Sequence, residues 1–147
     1  MKNLFEYRNN LGQLHRDGDL HAVENANGTK EWWVNGLRHR NGGLPAIERK
    51  IGSKEWWVNG KKHRDGGLPA IVYNSVWQND NAPQLKQWYV NGLCHRDRGL
   101  PAVEYPDGEK QWFVNDQRHN DGGLPAVIRA NGEMEWWVYG KQVKREV

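Results

Sequence analysis

The chain has 147 residues, a net charge of +3 from 21 basic and 18 acidic residues, and nine tryptophans against an apolar content of only 37%. These figures fit one ordinary domain and exclude a deep aliphatic core, so aromatic rings must carry much of the packing. The single cysteine, Cys94, excludes an internal disulfide framework. No apolar run approaches the ~20 residues of a membrane span, and no leader pattern is present, so a soluble, non-secreted, cytoplasmic protein is expected.

The first 26 residues read as an N-terminal cap and a degraded unit, in which Phe5, Tyr7 and Leu11 stand where later copies carry Trp-Trp-Val. From residue 27 to 140 a 24-residue unit recurs, and its clearest copy runs from Lys30 to Glu48. Its histidine returns at His15, His39, His63, His95 and His119, in steps of 24, 24, 32 and 24 residues. A fixed period in this range marks an array of one supersecondary unit. Each unit holds two turn signals. Asn27-Gly28, Asp107-Gly108 and Asn131-Gly132, with Ile51-Gly52 as a weaker form, precede the aromatic segment; Asn35-Gly36, Asn59-Gly60, Asn91-Gly92 and Asn115-Asp116 follow it. Both sets predict type I′ hairpin turns. Between them, Thr29 to Val34 reads as one strand and Ala46 to Arg49 as a second.

Comparison of the copies sorts their positions. The first aromatic is always tryptophan (Trp32, Trp56, Trp88, Trp112, Trp136), which marks a shaped packing slot. The second varies (Trp33, Trp57, Tyr89, Phe113, Trp137), which marks a more open face and a candidate binding row. Strand alternation puts the fixed tryptophan and the valine two residues later on one face. Gly-Leu-Pro-Ala, at 43–46, 67–70, 99–102 and 123–126, is explained by backbone geometry, with Asp19 replacing the glycine in the first copy. The residue before that glycine reads as less restricted, because Arg98 stands there in one copy.

His15-Arg16, His39-Arg40, His63-Arg64 and His95-Arg96 could pair a general base with an anion clamp. An enzyme needs one constellation of unlike groups, whereas these recur once per unit, so the five histidines are assigned a structural role. The pair fades at the C-terminal end, where Asn120 replaces arginine and Val143 replaces the next histidine, which points to contacts with a following unit. No catalytic residues, metal ligands or cofactor are expected. The eight extra residues of the long step fall within 73–83 and carry Trp77, the one tryptophan outside the period and a further candidate contact. Residues 141–147 read as a tail.

The unit, with its W-W-V-N-G-x-x-H-R-x-x-G-L-P-A pattern from about Leu14 to Gly140, resembles the MORN repeat, in the variant found in proteins of large DNA viruses of amoebae such as the marseilleviruses. The resemblance implies a non-catalytic scaffold or adaptor, in a virion or acting on a host factor in the host cytoplasm. The expected architecture is an all-β, single-layer antiparallel array of about five hairpin units, about 50 Å long, with degraded caps. The expected partner is a protein, with a homodimer through open sheet edges as one form. Two alternatives are nucleic-acid binding, with rings stacking on bases and Arg16, Arg40, Arg64 and Arg96 on phosphates, and binding at an anionic membrane surface.

Overall fold

The computed structural model describes residues 3–74 and 82–144. It is an all-β array. The N-terminal strand β1 (Asn3–Glu6) is followed by β2 (Val23–Asn25) and β3 (Lys30–Glu31). The next unit contains β4 (Trp33–Val34), β5 (Leu37–Arg38), β6 (Ile47–Glu48) and β7 (Lys54–Glu55). The third contains β8 (Trp57–Val58), β9 (Lys61–Lys62), β10 (Ile71–Asn74) and β11 (Gln84–Gln87). The fourth contains β12 (Tyr89–Val90), β13 (Leu93–Cys94), β14 (Val103–Glu104) and β15 (Lys110–Gln111). The last contains β16 (Phe113–Val114), β17 (Gln117–Arg118), β18 (Val127–Ile128), β19 (Met134–Val138) and β20 (Lys141–Val143). Twelve of these form one sheet in the order β1-β2-β3-β6-β7-β10-β11-β14-β15-β18-β19-β20, and β4-β5, β8-β9, β12-β13 and β16-β17 are separate two-stranded hairpins. Every pairing is antiparallel. Among the described residues no helix is long and apolar enough to cross a membrane.

The expected strand from Thr29 to Val34 is divided in the inner units. Trp32 leaves the ladder: its N–H donates to Ala46 O at 2.9 Å and its carbonyl accepts from His39 N at 3.2 Å. Its indole N–H reaches back to Asp19 O at 3.0 Å in the preceding loop. The chain therefore turns at each fixed tryptophan, and the alternation that would put Trp32 and Val34 on one face is broken there. Only the last copy, β19, runs through unbroken.

The two turn sets also differ. Asn35 (φ 47) and Gly36 (φ 79) both take positive φ, as a type I′ turn requires. In the preceding set only the glycine does, as at Gly28 (φ 78), while Asn27 Oδ1 accepts from Thr29 N at 3.0 Å. Those are longer turns closed by a left-handed glycine, and not type I′.

Packing is thin and regular. Ala22, Ala46, Ala70, Ala102 and Ala126 are wholly buried, beside Trp32, Trp56 and Trp88. In the first unit, Tyr7 takes the fixed-tryptophan place: Tyr7 N donates to Ala22 O and His15 N donates to Tyr7 O, as at Trp32. Phe5 lies two residues earlier, edge-on to Tyr7 at 5.4 Å between ring centres. The segment read as a C-terminal tail supplies β20, which pairs with β19 from Trp136↔Val143 to Val138↔Lys141.

The long step keeps its place in the array. β10 and β11 simply extend to four residues each, paired from Ile71↔Gln87 to Asn74↔Gln84, and still contribute two strands. The described part of the extra length, the longer β10 and β11, lies at the sheet turns and not at the His-Arg loops. Trp77 lies outside the described residues.

Candidate interaction surface

Each His-Arg loop is consumed by the array. His15, His39 and His63 accept at Nδ1 from the backbone N–H of Asn35, Asn59 and Asn91, one unit on, at 3.1, 3.2 and 3.2 Å. Their Nε2 atoms contact Asp17, Asn41 and Asp65, two residues along, as His95 and His119 contact Asp97 and Asp121. At the end of the array the His119 ring instead stacks on Tyr139, 4.0 Å between centres. His15, His39 and His63 thus tie one unit to the next by hydrogen bonds, and His119 does so by ring stacking. The buried Nδ1 atoms of His95 and His119 have no hydrogen-bond partner among the described residues.

The arginine ties a unit to itself, and Arg40 also reaches the preceding loop through Asp19. Arg16, Arg40, Arg64 and Arg96 lie 3.7–3.8 Å over the rings of Tyr7, Trp32, Trp56 and Trp88. Arg40, Arg64 and Arg96 also donate to the carbonyls of Pro45, Pro69 and Pro101, and Arg16 donates to His21 O, the same place in its loop. Asn120, which replaces the arginine, still donates to Pro125 O at 2.8 Å. Arg40 is paired with Asp19 and Glu48, and Arg96 with Glu104. The hydrogen bond from Arg40 holds the Asp19 carboxyl below the usual carboxylate range. Arg64 has neither carboxylate, because Gly43 and Val72 stand in the corresponding places, and burial alone lowers its pKa.

The second-aromatic row is half-buried and interleaved with cations. Arg38 lies 4.6 Å from the Trp33 ring and 5.3 Å from Trp57; Lys62 lies 5.5 Å from Trp57 and 4.9 Å from Tyr89. Arg118 lies 5.7 Å from Phe113 and 5.1 Å from Trp137. Between Tyr89 and Phe113 the cation is replaced by Cys94, buried in a small cluster with both rings. Burial, with Asp116 adding to it, pushes that thiol up to about 12.

A further regularity was present in the sequence. Glu31, Glu55 and Glu135 precede the three tryptophans of this row by two residues, and their carboxylates accept the indole N–H at 3.1, 3.0 and 2.9 Å. Where the ring is Tyr89 or Phe113, with no indole N–H to satisfy, the partner position is Gln87 or Gln111. The row varies in step with its neighbour.

Between successive His-Arg loops run four shallow grooves, of about 200, 220, 530 and 220 Å³ in array order. The largest separates the loop at 63–68 from that at 95–100 and is floored by Trp88 and Tyr89. Along the loops, Leu20, Leu44, Leu68, Leu100 and Leu124 are all 43–58% exposed. Within Gly-Leu-Pro-Ala these leucines looked like part of a backbone motif, although nothing in that geometry requires a large apolar side chain facing water. Beside them Asp17, Asp65, Asp97 and Asp121 have side chains 81–96% exposed. No family model, curated protein or solved structure matches the chain.

Proposed function

We propose that this protein is a non-catalytic repeat scaffold that binds other proteins. The observation that supports this reading is the exposed leucine repeated at every loop. Five such side chains in register form an apolar row along one side, and exposed apolar surface of that extent favours a macromolecular contact. Most groups with catalytic potential are spent on internal geometry, since His15, His39 and His63 link units and Arg16, Arg40, Arg64 and Arg96 stack on aromatic rings. The cation–ring contacts weigh against the nucleic-acid alternative, because Arg38, Lys62 and Arg118 already engage the rings that would stack on bases. They weigh likewise against an anionic membrane surface, where those same cations would be needed. The rings of the second aromatic row, with Trp77, remain part of the proposed contact surface.

Among the described residues β1 and β20 are the outer strands of the sheet, and outer strands are where sheets pair with one another, so self-association of copies belongs to the same proposal. A cytoplasmic or virion setting follows from the viral likeness of the repeat and is proposed with it. The test is capture of partners by the immobilised full chain, repeated after nuclease treatment and at raised salt. Protein partners should survive both treatments. Recovery that disappears with nuclease, or falls steeply with the logarithm of salt, would sink the scaffold reading in favour of nucleic acid.

A further inference from the structure

The leucine row has a pitch, and that pitch selects a ligand. Each unit contributes two strands to the main sheet, including the unit with the long step. At the usual strand separation this is about 9.6 Å per unit. A polyproline II segment has three residues per turn and rises about 9.3 Å per turn, so every third residue falls on one face at nearly the same spacing. An extended strand does not match in this way, because residues three apart point to opposite faces.

We propose that the loop side of the array binds a left-handed polyproline II segment of another protein, one with an apolar residue at every third position and basic residues between. This names the partner class for the scaffold reading above and rests on it. The apolar residues would sit in the grooves between loops, flanked by Leu44, Leu68 and Leu100 and floored by Trp56, Trp57, Trp88 and Tyr89. Aromatic-floored grooves suit proline-rich chains because such chains are already extended and lose little entropy on docking. The charge argument fixes the intervening residues. Asp17, Asp65, Asp97 and Asp121 present nearly free carboxylates at the loop tips, each with one oxygen held by its histidine. A basic side chain on the ligand would meet these acids.

Sheet twist turns the row as it advances, so a straight segment follows a few consecutive units and not all five. The groove of about 530 Å³, more than twice the volume of any of the other three at 200 and 220 Å³, is the natural anchor. Arg64 and Arg98 both line it with no carboxylate partner among the described residues, and Arg98, which is not stacked on a ring, favours an acidic group on the ligand at its own position.

The experiment uses the full chain and a fluorescent peptide of four Pro-Leu-Lys triplets, with a permuted peptide of the same composition. A version with glutamate for lysine and a single-stranded oligothymidylate complete the set. Binding is read by polarisation, and sedimentation velocity reports the oligomeric state. The variants are Leu68→Ser with Leu100→Ser, and Asp65→Asn with Asp97→Asn. The latter is mild for the fold, since Asn41 already fills that role for His39. The triplet peptide should bind saturably, about tenfold tighter than the permuted one, and lose about tenfold on the leucine substitutions. The aspartate substitutions should weaken it and flatten its salt dependence.

Equal binding of the permuted peptide, or indifference to the leucine substitutions, overturns the polyproline II assignment and leaves the scaffold reading standing. So does self-association of the chain that the leucine substitutions abolish. Oligothymidylate binding through the same surface, with all peptides inert, overturns both.

Discussion

Arg98 adopts φ 65, a left-handed conformation that the other full copies give to Gly42, Gly66 and Gly122 at the same loop position. The position is not the less restricted one that the arginine suggests: it is as constrained as its neighbour Gly99 (φ 66), and arginine bears the strain. A side chain there meets no steric obstacle, since a Cβ built at Gly42, Gly66 or Gly122 touches nothing within 4 Å. The cost is therefore conformational, about 1 kcal/mol. Arg98→Gly should raise stability by about that amount in urea denaturation, without altering the fold. A decrease would mean that Arg98 makes a stabilising contact that outweighs its backbone strain. The same residue illustrates a general difficulty: one exceptional copy says that a substitution is tolerated, and nothing about what it costs.

The hairpin units were legible from their turn residues, and the division of the inner ones at the fixed tryptophan was not. The signal for that break lies outside the segment, in the carbonyls of Asp19, Gly43, Gly67 and Gly99 that accept the indole N–H of Trp32, Trp56, Trp88 and Trp112. Strand propensity read along Thr29 to Val34 has no access to a partner 13 residues away. The second aromatic row carries its partner in the sequence, because Glu with Trp and Gln with Tyr or Phe is visible in five copies. A double-mutant cycle joining Trp57→Phe and Glu55→Gln tests whether that pairing carries energy. The coupling expected from a hydrogen bond to a half-buried carboxylate is about 1 kcal/mol, measured by chemical denaturation of the four proteins. A coupling near zero would make the correspondence incidental.

At the scale of the molecule, contacts run between neighbouring strands and adjacent loops, so stability accumulates along the array in near-neighbour steps. The all-β class, the number of units and the degraded first unit were readable from the period. The C-terminal strand was hidden because Lys141 to Val143 has no tryptophan and no histidine to mark it. The irregular step admits a direct test. Replacing residues 74–84 with Pro-Asp-Gly, the turn found at 106–108, restores a 24-residue step. Asn74 is lost, and with it the hydrogen bond from its N–H to the buried Ser53 Oγ at 2.9 Å. The shortened protein should stay folded and lose only about 1–2 kcal/mol, as followed by circular dichroism on heating. Loss of cooperative folding would show that the longer hairpin is needed for assembly.

The long hairpin β10–β11 also divides the molecule into a metered side and an unmetered one. Chain length can grow or shrink at the sheet turns without changing the interval between loops, because that interval is set by hydrogen-bonded strands and not by residue count. The loop side behaves as a ruler whose graduations are leucines, while the opposite side is free to acquire new peptide. Additions made there would leave every graduation where it stands, so the protein could gain a second set of contacts without recalibrating the first.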